Sequence, residues 1–145
     1  MTGWRVGFAV GSKEVITPLL RIKSNVDSGV FTAIQMTAVE ALKNSFGFSK
    51  KTNIVYRQRR DLLVAGLQRL GFPVKPNQAT FYVFSRLPGG EKDSTAFCRM
   101  LLEKTGIVAT PGVGFGAAGE GYVRFTLTVA ELEISEAILR MQKVF

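Results

Sequence analysis

The chain of 145 residues is 46% hydrophobic and 21% charged, with 15 Gly, 5 Pro, 1 Cys and no His, a composition that suits about one ordinary globular domain. Without histidine there is no Ser-His or Cys-His nucleophile pair, no imidazole base and no His metal ligand. The single cysteine, Cys98, closes no internal disulfide and builds no thiolate cage, which points to a reducing, cytoplasmic setting.

No leader pattern opens the sequence, and no apolar run approaches the roughly 20 residues that span a bilayer, so neither a secreted precursor nor a membrane protein is expected. The formal charge of +8 is unevenly placed: residues 1–70 hold 11 Lys/Arg against 4 Asp/Glu, and residues 71–145 hold 8 against 7. Arg57, Arg59 and Arg60 beside Tyr56 are of the kind that neutralises nucleic-acid phosphates. No helix-turn-helix, zinc-finger or aromatic RNA-binding motif accompanies them, so the run reads as the solvated face of a helix and no nucleic acid is expected. A missing acidic segment upstream would also explain the imbalance.

In chain order, Gly3 to Gly11 reads as a short buried strand, apolar, aromatic and glycine-punctuated, which needs a sheet to join. Ser12 then caps a helix with Glu14 near its positive end, and Pro18 predicts a kink or a start near Thr17. From Gly29 to Asn44 apolar residues lie almost all round a helix, predicting burial on most sides. A polar break at Ser45 to Ser49 precedes a long helix from about Lys51 to Leu70, stopped by Gly71 and Pro73.

Val74 and then Phe81, Val83 and Phe84 suggest two strands around the turn-forming Pro76-Asn77-Gln78. Asp93 or Ser94 caps a helix that carries Phe97, Cys98, Leu101 and Leu102 inward and stops at Gly106. Ile107 to Ala109 reads as a short strand, followed by a glycine-rich loop from Pro111 to Gly121. Tyr122 to Leu127 alternates, placing Val123, Phe125 and Leu127 on one face and Arg124 on the other. Thr128 with Glu131 forms a capping box for a final amphipathic helix through Ile134, Ala137, Ile138, Met141 and Val144. The fold class is therefore α/β, helices over a small sheet from residue 49 to 145, preceded by a strand and two apolar helices in residues 1–48 that look cut from a larger domain.

Gly114-Phe115-Gly116-Ala117-Ala118-Gly119 satisfies the G-x-G-x-x-G pattern, but a strand rather than a helix N-terminus follows it, which argues against a dinucleotide site. Arg124, on a strand beside that loop, suits a two-bonded grip on a carboxylate. Spacing alone favours the plainer reading, a surface arginine paired with Glu120 or solvated. Arg5 sits in an otherwise apolar stretch, where a cation calls for an anionic partner such as a phosphate or carboxylate. Cys98 reads as a core side chain and Lys13 as a solvated helix-start lysine.

Three stretches together, Met1-Thr2-Gly3-Trp4-Arg5-Val6-Gly7, Pro111-Gly112-Val113-Gly114-Phe115-Gly116 and Tyr122-Val123-Arg124-Phe125-Thr126-Leu127-Thr128, resemble the C-terminal part of the class I/II aminotransferases, pyridoxal-phosphate enzymes of fold type I. Ala79 to Phe84 fits the same order. Within that family, Lys23 to Phe31 and Gly119-Glu120-Gly121-Tyr122 look most similar to the LL-diaminopimelate aminotransferases.

The resemblance implies that Arg5 grips the phosphate of a pyridoxal 5'-phosphate cofactor, that Arg124 binds the α-carboxylate of an amino acid or 2-oxo acid substrate, and that Asn25 reaches the substrate of the other subunit of a homodimer. It implies a small C-terminal domain at 49–145 after the end of the large domain at 1–48, joined by the helix near Lys51 to Leu70. It also places the lysine that carries the cofactor before Met1, so the chain alone is not expected to transaminate, and no catalytic residue is assigned within it. A truncated, non-catalytic interaction module, whose apolar helices seek another chain, is the competing expectation.

Overall fold

A computed structural model describes residues 1–145, apart from the side chains of Thr2 and Phe46. It divides into two compact units, Met1–Lys51 and Thr52–Phe145. The first holds a short 3-10 turn at Thr2–Trp4, helix α1 at Lys13–Val26 and the first part of helix α2, which runs from Thr32 to Arg69. The second holds the rest of α2, strand β1 at Tyr82–Arg86, helix α3 at Ser94–Thr105, a two-residue strand β2 at Thr110–Pro111, strand β3 at Tyr122–Thr126 and helix α4 at Glu131–Met141.

In the second unit the sheet has the order β1-β3-β2, with both pairings antiparallel. Tyr82 pairs with Thr126, Phe84 with Arg124 and Arg86 with Tyr122, while Thr110 faces Arg124 from the other edge. Alternation then decides the layers: Val83 and Leu87 from the first segment and Val123, Phe125 and Leu127 from the last turn inward. They meet Leu63, Val64 and Leu67 of α2, Phe97 and Leu101 of α3, and Ile134, Ile138 and Met141 of α4. Phe72 stands edge-on to Phe97 at 5.9 Å and to Phe125 at 6.2 Å, a geometry aromatic rings favour.

Helix boundaries follow local chemistry where it is strong. Gly71 and Gly106 adopt φ of 81° and 70° after α2 and α3, a region most side chains avoid. The Asp93 carboxylate accepts the Ala96 N–H at 2.8 Å and caps α3. Elsewhere tertiary context overrides it. No break occurs at Ser45 to Ser49, where α2 continues, and α1 runs through Pro18 without starting anew at Thr17. The expected capping box is not formed: Glu133 accepts the Ala130 N–H at 2.9 Å, but the alanine at that N-cap has no side-chain oxygen to complete it, and Thr128 bonds Thr126.

Three expected strands do not form where the sequence places them. Val74 lies in a loop, and the short strand falls at Thr110–Pro111, where it can reach β3, rather than at Ile107 to Ala109. Gly3 to Gly11 is likewise no strand but the end of a 3-10 turn followed by irregular chain, since among the described residues the first unit holds no strand to offer its backbone a ladder. Its side chains and those of Gly29 to Asn44 are not buried as expected, Phe8 being 74% and Val10 85% exposed. Two arginines of the basic cluster serve the second unit itself: Arg59 Nη1 donates to the Leu127 carbonyl at 3.0 Å and Arg60 Nη1 to that of Asn77 at 2.8 Å. Among the described residues no helix is long and apolar enough to cross a membrane.

Helices α2 and α4 approach closely at Gly66, where an added Cβ would collide with the side chain of Ile138. Gly66→Ala is expected to cost about 1–3 kcal/mol by overpacking, which outweighs the roughly 1 kcal/mol gained in helix propensity. Leu101→Ala, which empties a fully buried site, is expected to cost about 2–5 kcal/mol. Denaturation of both variants checks this, and a Gly66→Ala chain as stable as the parent would mean that Ile138 has room to move.

Candidate functional site

The face of the sheet turned away from the core carries Tyr82, Phe84 and Arg86 on β1 and Tyr122, Arg124 and Thr126 on β3. Arg124 is central and half-buried. Its guanidinium carbon lies 4.0 Å from the ring centroid of Tyr82 and 4.5 Å from that of Phe115, well inside cation–π range. Its Nη2 donates to the Thr110 hydroxyl at a long 3.4 Å. Among the described residues no carboxylate pairs with it.

The expected pairing with Glu120 fails for a specific reason. The Glu120 carboxylate accepts the Ser94 N–H at 2.7 Å and the Gly121 N–H at 3.1 Å. A hydrogen bond from the Ser94 hydroxyl, then those from the Ser94 and Gly121 backbones, hold its carboxyl below the ordinary carboxylate range. Ser94, fully buried, also accepts the Val113 N–H at 3.3 Å. Glu120 thus ties the start of α3 to the glycine-rich loop and leaves Arg124 available.

That loop is two 3-10 turns, Gly112–Phe115 and Ala117–Gly119, not a phosphate cradle opening a helix. Gly112 and Gly119 lie backbone against backbone, so a Cβ on either would strike the other's main chain. Sequence marked the glycines and Arg124 but missed Tyr82, Thr110 and the Ser94–Glu120 link. Alternation of Tyr82 two residues before Phe84 was the one available signal for the aromatic partner.

Arg5 and Asn25 belong to the first unit. Arg5 is an exposed residue at φ 51°, in a left-handed bend rather than in a buried strand, and Gly3 and Gly7 beside it face open space. Asn25, exposed near the end of α1, donates through Nδ2 to the Arg21 carbonyl at 2.7 Å. Lys13 is the exposed first residue of α1. Cys98 packs at the rim of the core, and burial pushes its thiol up from the ordinary value.

Because the folded-state value of Glu120 is depressed, its contribution to stability is present above the ordinary carboxylate value of 4.5 and is lost as pH falls through the lower folded value. In Glu120→Gln that portion of the acid-side slope is expected to vanish from pH-dependent denaturation curves. An unchanged slope would show that the carboxylate is not held by Ser94 and Gly121 in solution.

The family model described as aminotransferase class I and II matches residues 1–141. The chain is 52% identical over 142 residues to the LL-diaminopimelate aminotransferase of Halothermothrix orenii, covering 98% of this chain and 36% of that protein. It is 46% identical over 145 residues to the LL-diaminopimelate aminotransferase of Natranaerobius thermophilus, covering 37% of it. Among solved structures, a probable N-succinyldiaminopimelate aminotransferase from Thermus thermophilus superposes with a TM-score of 0.88 at 34% identity, covering 100% of this chain and 39% of that one. An aromatic aminotransferase from Pyrococcus horikoshii gives 0.88 at 32%, covering 99% and 39%. The chain thus spans little more than a third of the relatives it matches. Since the family match takes in both units and every strand, the one bearing Arg124 included, the chain belongs to the aminotransferase class I and II family.

Proposed function

We propose that this chain is the C-terminal part of a pyridoxal-phosphate-dependent aminotransferase that moves an amino group between an amino acid, LL-diaminopimelate by subgroup likeness, and a 2-oxo acid. The observation that carries the reading is the half-buried Arg124 guanidinium, in contact with two aromatic rings and spared by Glu120. Its planar fork matches a carboxylate, and the α-carboxylate common to both substrates is its ligand. Holding that group fixes the orientation of the α-carbon, which converts an encounter into a positioned reaction.

The donors of the first unit suit the cofactor. Arg5 offers an exposed fork between glycines that face open space, where a phosphate has room to approach. Pyridoxal phosphate, when bound, supplies the electron sink for the bond broken at the α-carbon. Asn25, exposed at the end of α1, contacts the substrate of the other subunit in a homodimer. Residues 1–48 are the end of the large domain and 49–145 the small domain in this reading. Exposed apolar side chains such as Phe31, Met36 and Leu42 suit contact with another chain or domain.

The test replaces the matched 142 residues of the Halothermothrix orenii protein with this chain. The chimera is expected to bind pyridoxal phosphate and transfer the amino group of LL-diaminopimelate. Arg124→Lys in it is expected to raise KM for both substrates by about 10- to 100-fold, the loss of one charge-assisted hydrogen bond. A KM untouched by Arg124→Lys sinks the role of that arginine; transfer from other donors but never from LL-diaminopimelate sinks the substrate. The chain alone, mixed with pyridoxal phosphate and reduced with borohydride, is expected to take up label thinly over several exposed lysines. A stoichiometric adduct at Lys13 would overturn the placement of the cofactor-bearing lysine.

A further inference from the structure

We infer that Tyr82 and Phe115 are positioning residues for carboxylate binding, holding the Arg124 guanidinium so that only its N–H edge is offered to a ligand. This rests on Arg124 as the carboxylate site. The two rings come from different elements: Tyr82 from the first position of β1, and Phe115 from the glycine-rich loop. Each is braced in turn. Tyr82 packs on Phe81 at 4.6 Å, and Phe115 stands edge-on to Phe84 at 5.8 Å. With ring centroids 4.0 and 4.5 Å from the guanidinium carbon, its aromatic contacts are already made and its hydrogen-bonding N–H groups are left for a ligand.

An unrestrained arginine loses rotamer freedom when it binds, which weakens the complex, whereas a clamped one has lost it beforehand. The clamp also depends on the loop. Val113 is tied to Ser94 and Gly112 lies against Gly119, so the chain that carries Phe115 is pinned at its base while Phe115 as a residue is 52% exposed. Phe115 is therefore placed for Arg124 rather than for the core. The same holds for Tyr82, which sits on the sheet face opposite Val83.

The experiment uses the whole 145-residue chain with 15N-labelled arginine, acetate as the probe and chloride at equal ionic strength as the control. The Arg124 Nε–H signal is expected to move with acetate and saturate. Tyr82→Leu and Phe115→Leu are each expected to weaken acetate by about 3- to 10-fold, while the ring-keeping Tyr82→Phe and Phe115→Tyr bind like the parent. Tyr82→Met and Phe115→Met keep bulk without a ring and take the place of a leucine variant that fails to fold. If the ring-free variants bind acetate as the parent does, the positioning role is wrong while Arg124 remains the carboxylate site. If the parent signal answers acetate no more than chloride, the Arg124 site itself fails and the clamp with it.

Discussion

Strand β3 is hydrogen-bonded along both edges, to β1 over five residue pairs and to β2 over two, and this double pairing fixes which way each of its side chains points. A slip of one residue would turn Val123 and Phe125 to solvent and drive Arg124 into the core, at the cost of a buried unpaired charge. The buried half of the strand thus does the orienting for the exposed half. Leu67, Leu101 and Met141, all within a per cent of complete burial, supply the apolar mass against which that choice is made.

Upon this fixed face the loop chemistry acts by removing competitors. Glu120 is four residues from Arg124 and is the obvious ion-pair partner in sequence. It is instead turned to the first turn of α3, where backbone N–H groups lack helical partners and an anion is favoured. The result is a cation kept from neutralisation by carboxylates of its own chain among the described residues, beside two rings that lower its contact with water.

How much of this was legible in the sequence depends on how local each cause is. Gly71, Gly106 and Asp93 announce helix ends because the reason lies within a turn of the residue itself. The alternation from Tyr122 to Leu127 was readable because one face is buried and the other is not. The Ser94–Glu120 bond joins residues 26 apart and leaves no periodic trace. Gly3 to Gly11 has strand-like composition, yet a strand exists only where a neighbour completes its hydrogen bonds, and composition does not record the neighbour. Ser45, Gly47 and Ser49 looked like a break because serine and glycine disfavour helix, but the penalty is about 1 kcal/mol or less per residue and a long helix absorbs it. Likewise the resemblance pointed to Arg124 but not to the residues that hold it, since those act through geometry.

The contact of Gly66 with Ile138 ties two helices through a missing side chain. Positions that meet so closely are coupled energetically, and the effect of a change at one depends on the residue at the other. Divergence along a lineage would then be directional: the α4 residue must shrink before the α2 glycine is released, and the reverse order passes through an overfilled intermediate. Natural variants bearing a larger residue at 66 should accordingly descend from ancestors already trimmed at 138.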